Sequence, residues 1–183
     1  MADFQGQIES ERGKLKELLL KVPGFKGYIE MEDRRTADKM IRNVVADRYQ
    51  EQLDKLTGIM TEFVDRGDLA YVDDMEGIAT KIRTFIDRIR HATYGYSSFF
   101  SVIKIDAEKL ERMYDYDQAM LDGIEGINTT LESLASAVEE DQIKGFIASL
   151  KNAAQEMVTR ADQRKEEITR EEEIPGDEMT PSA

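Results

Sequence analysis

Between residues 106 and 138 one series of positions repeats in steps of three and four: Leu110, Met113, Asp117, Met120, Ile124, Ile127, Leu131, Leu134, Val138. Such spacing lays a single seam along one face of a long helix and repeats every seven residues. A helix with so continuous a seam must bury it against other helices, which narrows the fold to an all-α bundle. One member of the seam is polar. Asp117 stands where every neighbour in the series is apolar.

The rest of the chain follows the same rule. A first segment at about residues 4–21 puts Ile8, Leu15, Leu18, Leu19 and Val22 on a narrow face, with charges over the remainder. That pattern predicts an outer helix. Pro23 and Gly24 stop it. A second helix is expected over about 29–65, with Ala37, Ile41, Val45, Tyr49, Leu53, Leu56, Met60 and Phe63 in its seam and Val64 widening it. Gly67 suits a left-handed residue after that helix, and Asp68 suits the next N-cap. A third helix over 69–92 uses Val72, Met75, Ala79, Ile82, Ile86 and Ile89. Residues 91–104 are an aromatic-rich break, expected as a loop or a bent, partly helical connection; Asp106 is a candidate N-cap, and the seam helix runs over 106–138. A last helix over 142–168 carries Ile143, Ile147, Leu150, Ala154, Met157, Ala161 and Ile168. Residues 171–183 are acidic and poor in apolar groups, and are expected to form a disordered tail.

Short links between long helices imply antiparallel neighbours. The expected fold is therefore an antiparallel up-down four-helix bundle with long, coiled-coil-like helices and an outer N-terminal helix. Residues 1–170 would make one domain. Composition agrees with this: 40% apolar residues suffice for a core, while 34% charged residues and 3 prolines favour long solvated helices.

The topology predicts two meeting places. The Pro-Gly turn and the aromatic connection share one end, which gathers Phe25, Tyr28, Tyr94, Tyr96, Phe99 and Phe100. These rings either plug the open end of the core or present an apolar patch to a partner or a lipid surface. About ten residues inward, helix counting places Asp38, Arg42, Arg83 and Asp117 in one layer. A buried carboxylate without a partner costs several kcal/mol, so Asp117 requires an arginine, with Arg42 and Arg83 the nearest candidates. Such a pair would fix helix register, as single polar seam residues do in coiled coils. A ligand pocket is the other use of the same layer.

Several chemistries are poorly supported. The net charge of −13 opposes nonspecific attraction to nucleic acid. The basic face Lys81, Arg83, Arg88, Arg90 and His91 reads as a solvated face linked to neighbouring acids. With no cysteine there is no disulfide, thiolate metal site or cysteine nucleophile. A single histidine, His91, excludes the paired Glu-x-x-His motif of di-iron bundles. Asp115, Asp117 and Asp122 lack the glycine and closing glutamate of a calcium loop. A triad of His91 with Ser97 or Ser98 has no specific spacing behind it. No glycine-rich phosphate loop appears. Gly123, Gly126 and Gly145 are tolerated at a cost or allow close helix approach. Without an apolar run long enough to span a bilayer or a signal-peptide start, the expected location is cytoplasmic.

Pro23-Gly24-Phe25-Lys26-Gly27-Tyr28 followed by Arg34-Arg35-Thr36-Ala37-Asp38, with Tyr94-Gly95-Tyr96, Phe99-Phe100 and Tyr114-Asp115-Tyr116-Asp117, resembles an uncharacterised group of bacterial helical-bundle proteins. The resemblance spans about residues 22–127. It implies a bundle and brings no activity with it. The function expected is a non-enzymatic interaction or scaffold protein that binds a protein partner or itself, without a cofactor or a metal. The alternatives are a peripheral membrane or stress-associated protein touching lipid through the aromatic end, and an enzyme or small-molecule binder using the Asp38/Arg83/Asp117 layer.

Overall fold

The seams become four long helices in a computed structural model of the protein, which describes residues 34–92 and 107–169. Helix α1 is Arg34–Arg66, α2 is Val72–Arg90, α3 is Ala107–Ser136 and α4 is Glu140–Thr169. With 33 residues, α1 is roughly 50 Å long at the usual helical rise. The segments expected at 4–21 and 171–183 lie outside the described residues, as do Asp106 and most of the aromatic connection.

The first hairpin turns on a glycine. Gly67 has φ of +83°, the left-handed region that a side chain disfavours. The amide of Asp68 donates to Phe63 O at 2.9 Å and that of Gly67 to Val64 O at 3.0 Å. Together these bonds close the α1 C-terminus in a Schellman motif. Asp68 does not cap the next helix with its side chain, contrary to expectation. Its carboxylate lies 3.5 Å from Arg66 Nε instead. The chain passes through a 3-10 turn, Leu69–Tyr71, so α2 starts at Val72 rather than at residue 69. At the second hairpin α3 ends at Ser136, before the seam does. Val138 consequently sits on the link and is 83% exposed, not core. Val64, expected to widen the α1 seam, is also exposed.

Side-chain contacts set the directions. From α1 to α2, Arg42 reaches Ile89, Tyr49 lies against Phe85 and Phe63 against Tyr71, so rising numbers meet falling ones. From α3 to α4, Arg112 meets Glu167 and Asp117 meets Arg164, again in opposite directions. Between the two hairpins the sense is the same. Tyr49 meets Met120 and Lys55 meets Asn128, while Asp74 meets Lys151 and Arg88 meets Asp162.

Helix α1 therefore packs on α2 and α3, and α4 packs on the same two. Successive helices reverse, but not every pair of sequence neighbours packs side by side. Helices α2 and α3 stand across the diagonal, and residues 93–106 join them. The core lies between the four seams, from Ile41 and Ile89 at one end to Phe63, Met75, Leu134 and Ile143 at the other.

Candidate functional site: a buried ionic cluster

Four ionisable side chains are buried near the end of the bundle where α1 begins. Asp38 is 1% exposed, Arg42 3%, Asp117 0% and Arg164 2%. Helical spacing places them. Asp38 and Arg42 are one turn apart on α1, and Arg42 Nε donates to Asp38 Oδ2 at 2.9 Å. Asp117 occupies its seam position on α3. Arg164 continues the α4 seam one step beyond Ala161.

Arg164 bridges the two carboxylates. Its Nε donates to Asp117 Oδ1 at 2.6 Å and its Nη2 to Asp117 Oδ2 at 3.0 Å. The same Nη2 also donates to Asp38 Oδ1. The two-point contact with Asp117 uses the planar fork of the guanidinium, which a lysine could not reproduce. Arg42 faces the other way: its Nη1 donates to Ile89 O at 3.0 Å and to Arg90 O at 3.4 Å. These carbonyls belong to the last turn of α2, where helix acceptors lack intrahelical donors and a positive charge is favoured. The cluster thereby ties together all four helices.

Two formal negative charges meet two positive ones, so the group is neutral as a unit. Burial pushes the Asp117 carboxyl up, against the opposing pull of the Arg164 guanidinium. One turn nearer the helix ends, Arg112 Nε donates to the buried Glu167 at 2.7 Å. This second ionic link joins α3 to α4.

The sequence placed Asp38, Arg42 and Asp117 in one layer, and they share this cluster. Arg83 does not. It lies on the outer face of α2, about half exposed, and donates to Glu76 Oε1 at 2.7 Å. The reason is angular: Ile82, Ile86 and Ile89 take the inward face of α2, and a residue one place after Ile82 is turned about 100° away. The partner of Asp117 is Arg164, which the sequence reading passed over. Its signal was a missing step: the α4 seam goes from Ala161 to Ile168, and Arg164 fills the intervening position. With both Asp117 oxygens held by an arginine, the Asp115/Asp117/Asp122 set is not arranged as a calcium loop. Among the described residues no group of three or more His, Cys, Asp or Glu side chains is arranged to hold a metal ion.

The basic face of α2 is tied to acids and amides. Lys81 donates to Gln155, Arg88 to Asp162 and Arg90 to Asp47. The chain matches no protein-family model, and no curated protein or solved structure matches it. The resemblance seen in the sequence thus gains no support from these comparisons. Among the described residues no helix is long and apolar enough to cross a membrane.

The six aromatic candidates, Phe25, Tyr28, Tyr94, Tyr96, Phe99 and Phe100, lie outside the described residues. Their points of attachment do not. Helix α1 starts, α2 ends, α3 starts and α4 ends at the pole that holds the ionic cluster. In sequence, residues 1–33 precede α1 and residues 93–106 connect α2 to α3 at that pole.

Further along, Tyr49 is buried and donates its hydroxyl to Met120 O at 2.9 Å. Burial raises its pKa, so the phenol stays protonated and acts as a donor. A Cβ added at Gly123 would meet Tyr49 Oη at 3.4 Å, whereas one at Gly126 or Gly145 would meet nothing within 4 Å. Of the three glycines only Gly123 has a neighbour within van der Waals reach of an added Cβ. Beside it an open groove of about 260 Å³ runs between α3 and α4, lined by Gly126, Ala153 and Met157 among others.

Proposed function

We propose that this protein is a non-enzymatic helical scaffold that binds a protein partner at the pole bearing its aromatic segments, in the cytoplasm. The observation that carries this reading is the saturation of the ionic cluster. Its carboxylates and guanidinium groups are spent on one another and on helix carbonyls, beneath a surface closed to solvent. Charges so placed fix the register of four helices and have no face to offer a substrate. Fixing register at that pole gives a defined platform to the segments attached there. Register control is the best-attested role of a buried polar group in a helical assembly.

The test is a pull-down from native-host lysate with the full chain, beside a variant carrying Phe99→Ser and Phe100→Ser. Loss of the same captured protein from the variant, with the helical circular-dichroism signal retained, is the expected result. Capture that persists undiminished removes the aromatic pole as the contact surface. Flotation of the chain with liposomes in the absence of any protein partner would favour a lipid role instead.

A further inference from the structure

Among the described residues the large apolar side chains left exposed are Val64, Leu69 and Val138. All three stand at the pole opposite the ionic cluster. Val64 is on the last turn of α1, Leu69 on the α1–α2 link and Val138 on the α3–α4 link. The bonds from Lys55 to Asn128 and from Lys151 to Asp74 bring the two links to the same end of the bundle. The core does not use these side chains: Phe63, Met75, Leu134 and Ile143 are the buried ones at this end. A single exposed apolar residue needs no explanation, but several gathered at one place and rimmed by polar groups mark an interaction surface.

The rim is acidic. Glu62, Asp65, Asp73 and Glu139 are exposed, and among the described residues no hydrogen bond or ion pair engages their carboxylates. The bases nearby are already taken. Arg66 lies over the Phe63 ring and 3.5 Å from Asp68, and Lys144 pairs with Glu140. The charge of the rim decides what can cover the apolar side chains. A second copy docked pole to pole would set carboxylates against carboxylates, and an anionic lipid or a nucleic acid would meet the same repulsion. A segment that carries cations beside apolar side chains meets attraction instead.

We propose that this pole docks a basic amphipathic segment of a partner protein. The segment's apolar side chains cover Val64, Leu69 and Val138, and its Lys or Arg side chains meet the carboxylates of the rim. This contact is independent of the one proposed for the aromatic pole, which lies at the other end of the bundle.

The test is methyl NMR of the full chain, titrated with a synthetic helical peptide of leucine and lysine at about 0.15 M salt to screen diffuse attraction. Saturable shifts centred on Val64, Leu69 and Val138 are expected. Leu69→Ser with Val138→Ser should weaken binding by about tenfold or more. Because both side chains are exposed, the same variant should keep the wild-type melting temperature. Asp65→Asn, Asp73→Asn and Glu139→Gln together should weaken binding by about tenfold and flatten its salt dependence. The chain with Phe99→Ser and Phe100→Ser should bind the peptide as the wild type does, which separates this outcome from that of the aromatic pole. No saturable shifts, shifts spread along the acidic helix faces, or equal binding of a peptide with glutamate in place of lysine overturns the proposal. So does undiminished binding by either set of far-pole variants, or loss of binding with Phe99→Ser and Phe100→Ser. Shifts at the same three residues on concentrating the chain alone would assign the pole to a second copy and overturn it too.

Discussion

The two halves of this bundle are built on different physics. In the far half, toward Gly67, the inward positions are apolar: Leu56, Phe63, Met75, Ile78, Leu131 and Leu134 are all buried. Hydrophobic contact there is nondirectional and tolerates substitution at conserved volume. In the near half buried positions also hold Asp38, Arg42, Asp117 and Arg164, whose bonds fix distance and angle. The first half draws its stabilisation from apolar burial. The second trades some stabilisation for one defined arrangement of four helices, since a buried ionic group rarely outperforms well-packed hydrocarbon.

The largest predicted effect breaks the near half alone. Arg164→Met leaves Asp38 and Asp117 buried without the cation between them, and should cost about 3–5 kcal/mol in urea unfolding. An effect below about 1 kcal/mol would mean that water reaches these carboxylates and that the contrast between the halves is overstated. In the far half, Leu134→Ala should cost about 2–5 kcal/mol through lost burial and a residual cavity. There the loss should be nearly additive with a second, distant truncation, whereas Arg164→Met and Asp117→Leu should be strongly non-additive in a double-mutant cycle.

A variant that makes the near half resemble the far one sharpens the comparison. Asp38→Leu, Arg42→Met, Asp117→Leu and Arg164→Met together should leave stability unchanged or raise it by about 1–4 kcal/mol. If the ions fix register, the amide spectrum of that chain broadens or its oligomeric state changes. A sharp spectrum and an unaltered oligomeric state would show that apolar packing alone specifies the arrangement.

A pH series isolates the charge of Asp117. Burial raises its carboxyl pKa in the folded chain, so the folded state retains a proton that the unfolded state has already released. Its contribution to stability is greatest below the unfolded carboxylate value of about 3.9 and falls as pH rises through the folded value. The stability of the wild type relative to Asp117→Asn should accordingly decline over that window, as read from urea midpoints at each pH. A difference that grows with pH would reverse the assignment and make attraction by Arg164 the larger effect. The smallest change expected lies outside both halves of the contrast. Gly126→Ala, whose new Cβ meets no neighbour within 4 Å, should stabilise the chain by about 0.5–1 kcal/mol.

Much of this was legible in the sequence because helix periodicity is local. The seams predict the four long helices seen among the described residues, and Gly67 announced its own backbone. Asp117 declared itself by interrupting an apolar series. Arg164 interrupted a series just as clearly, yet a missing step is a quieter signal than a wrong residue. Arg83 shows the limit of counting along a helix. Depth along the axis placed it level with Asp117, but rotation about the axis sends it to solvent. Val138 shows another limit, because a seam continues on paper after the helix carrying it has stopped at Ser136.

By itself the sequence determined that this chain forms long amphipathic helices that must share a core, because spacing and capping act within a few residues of one chain. Which helices lie side by side was decided only in three dimensions. The order in which α1 touches α2 and α3 but α4 takes the far corner rests on contacts between residues many turns apart in number. So does the choice of Arg164, from α4, as the partner of Asp117. A charge finds its counterion through distance and orientation in space, and neither quantity is written in the spacing of residues along the chain.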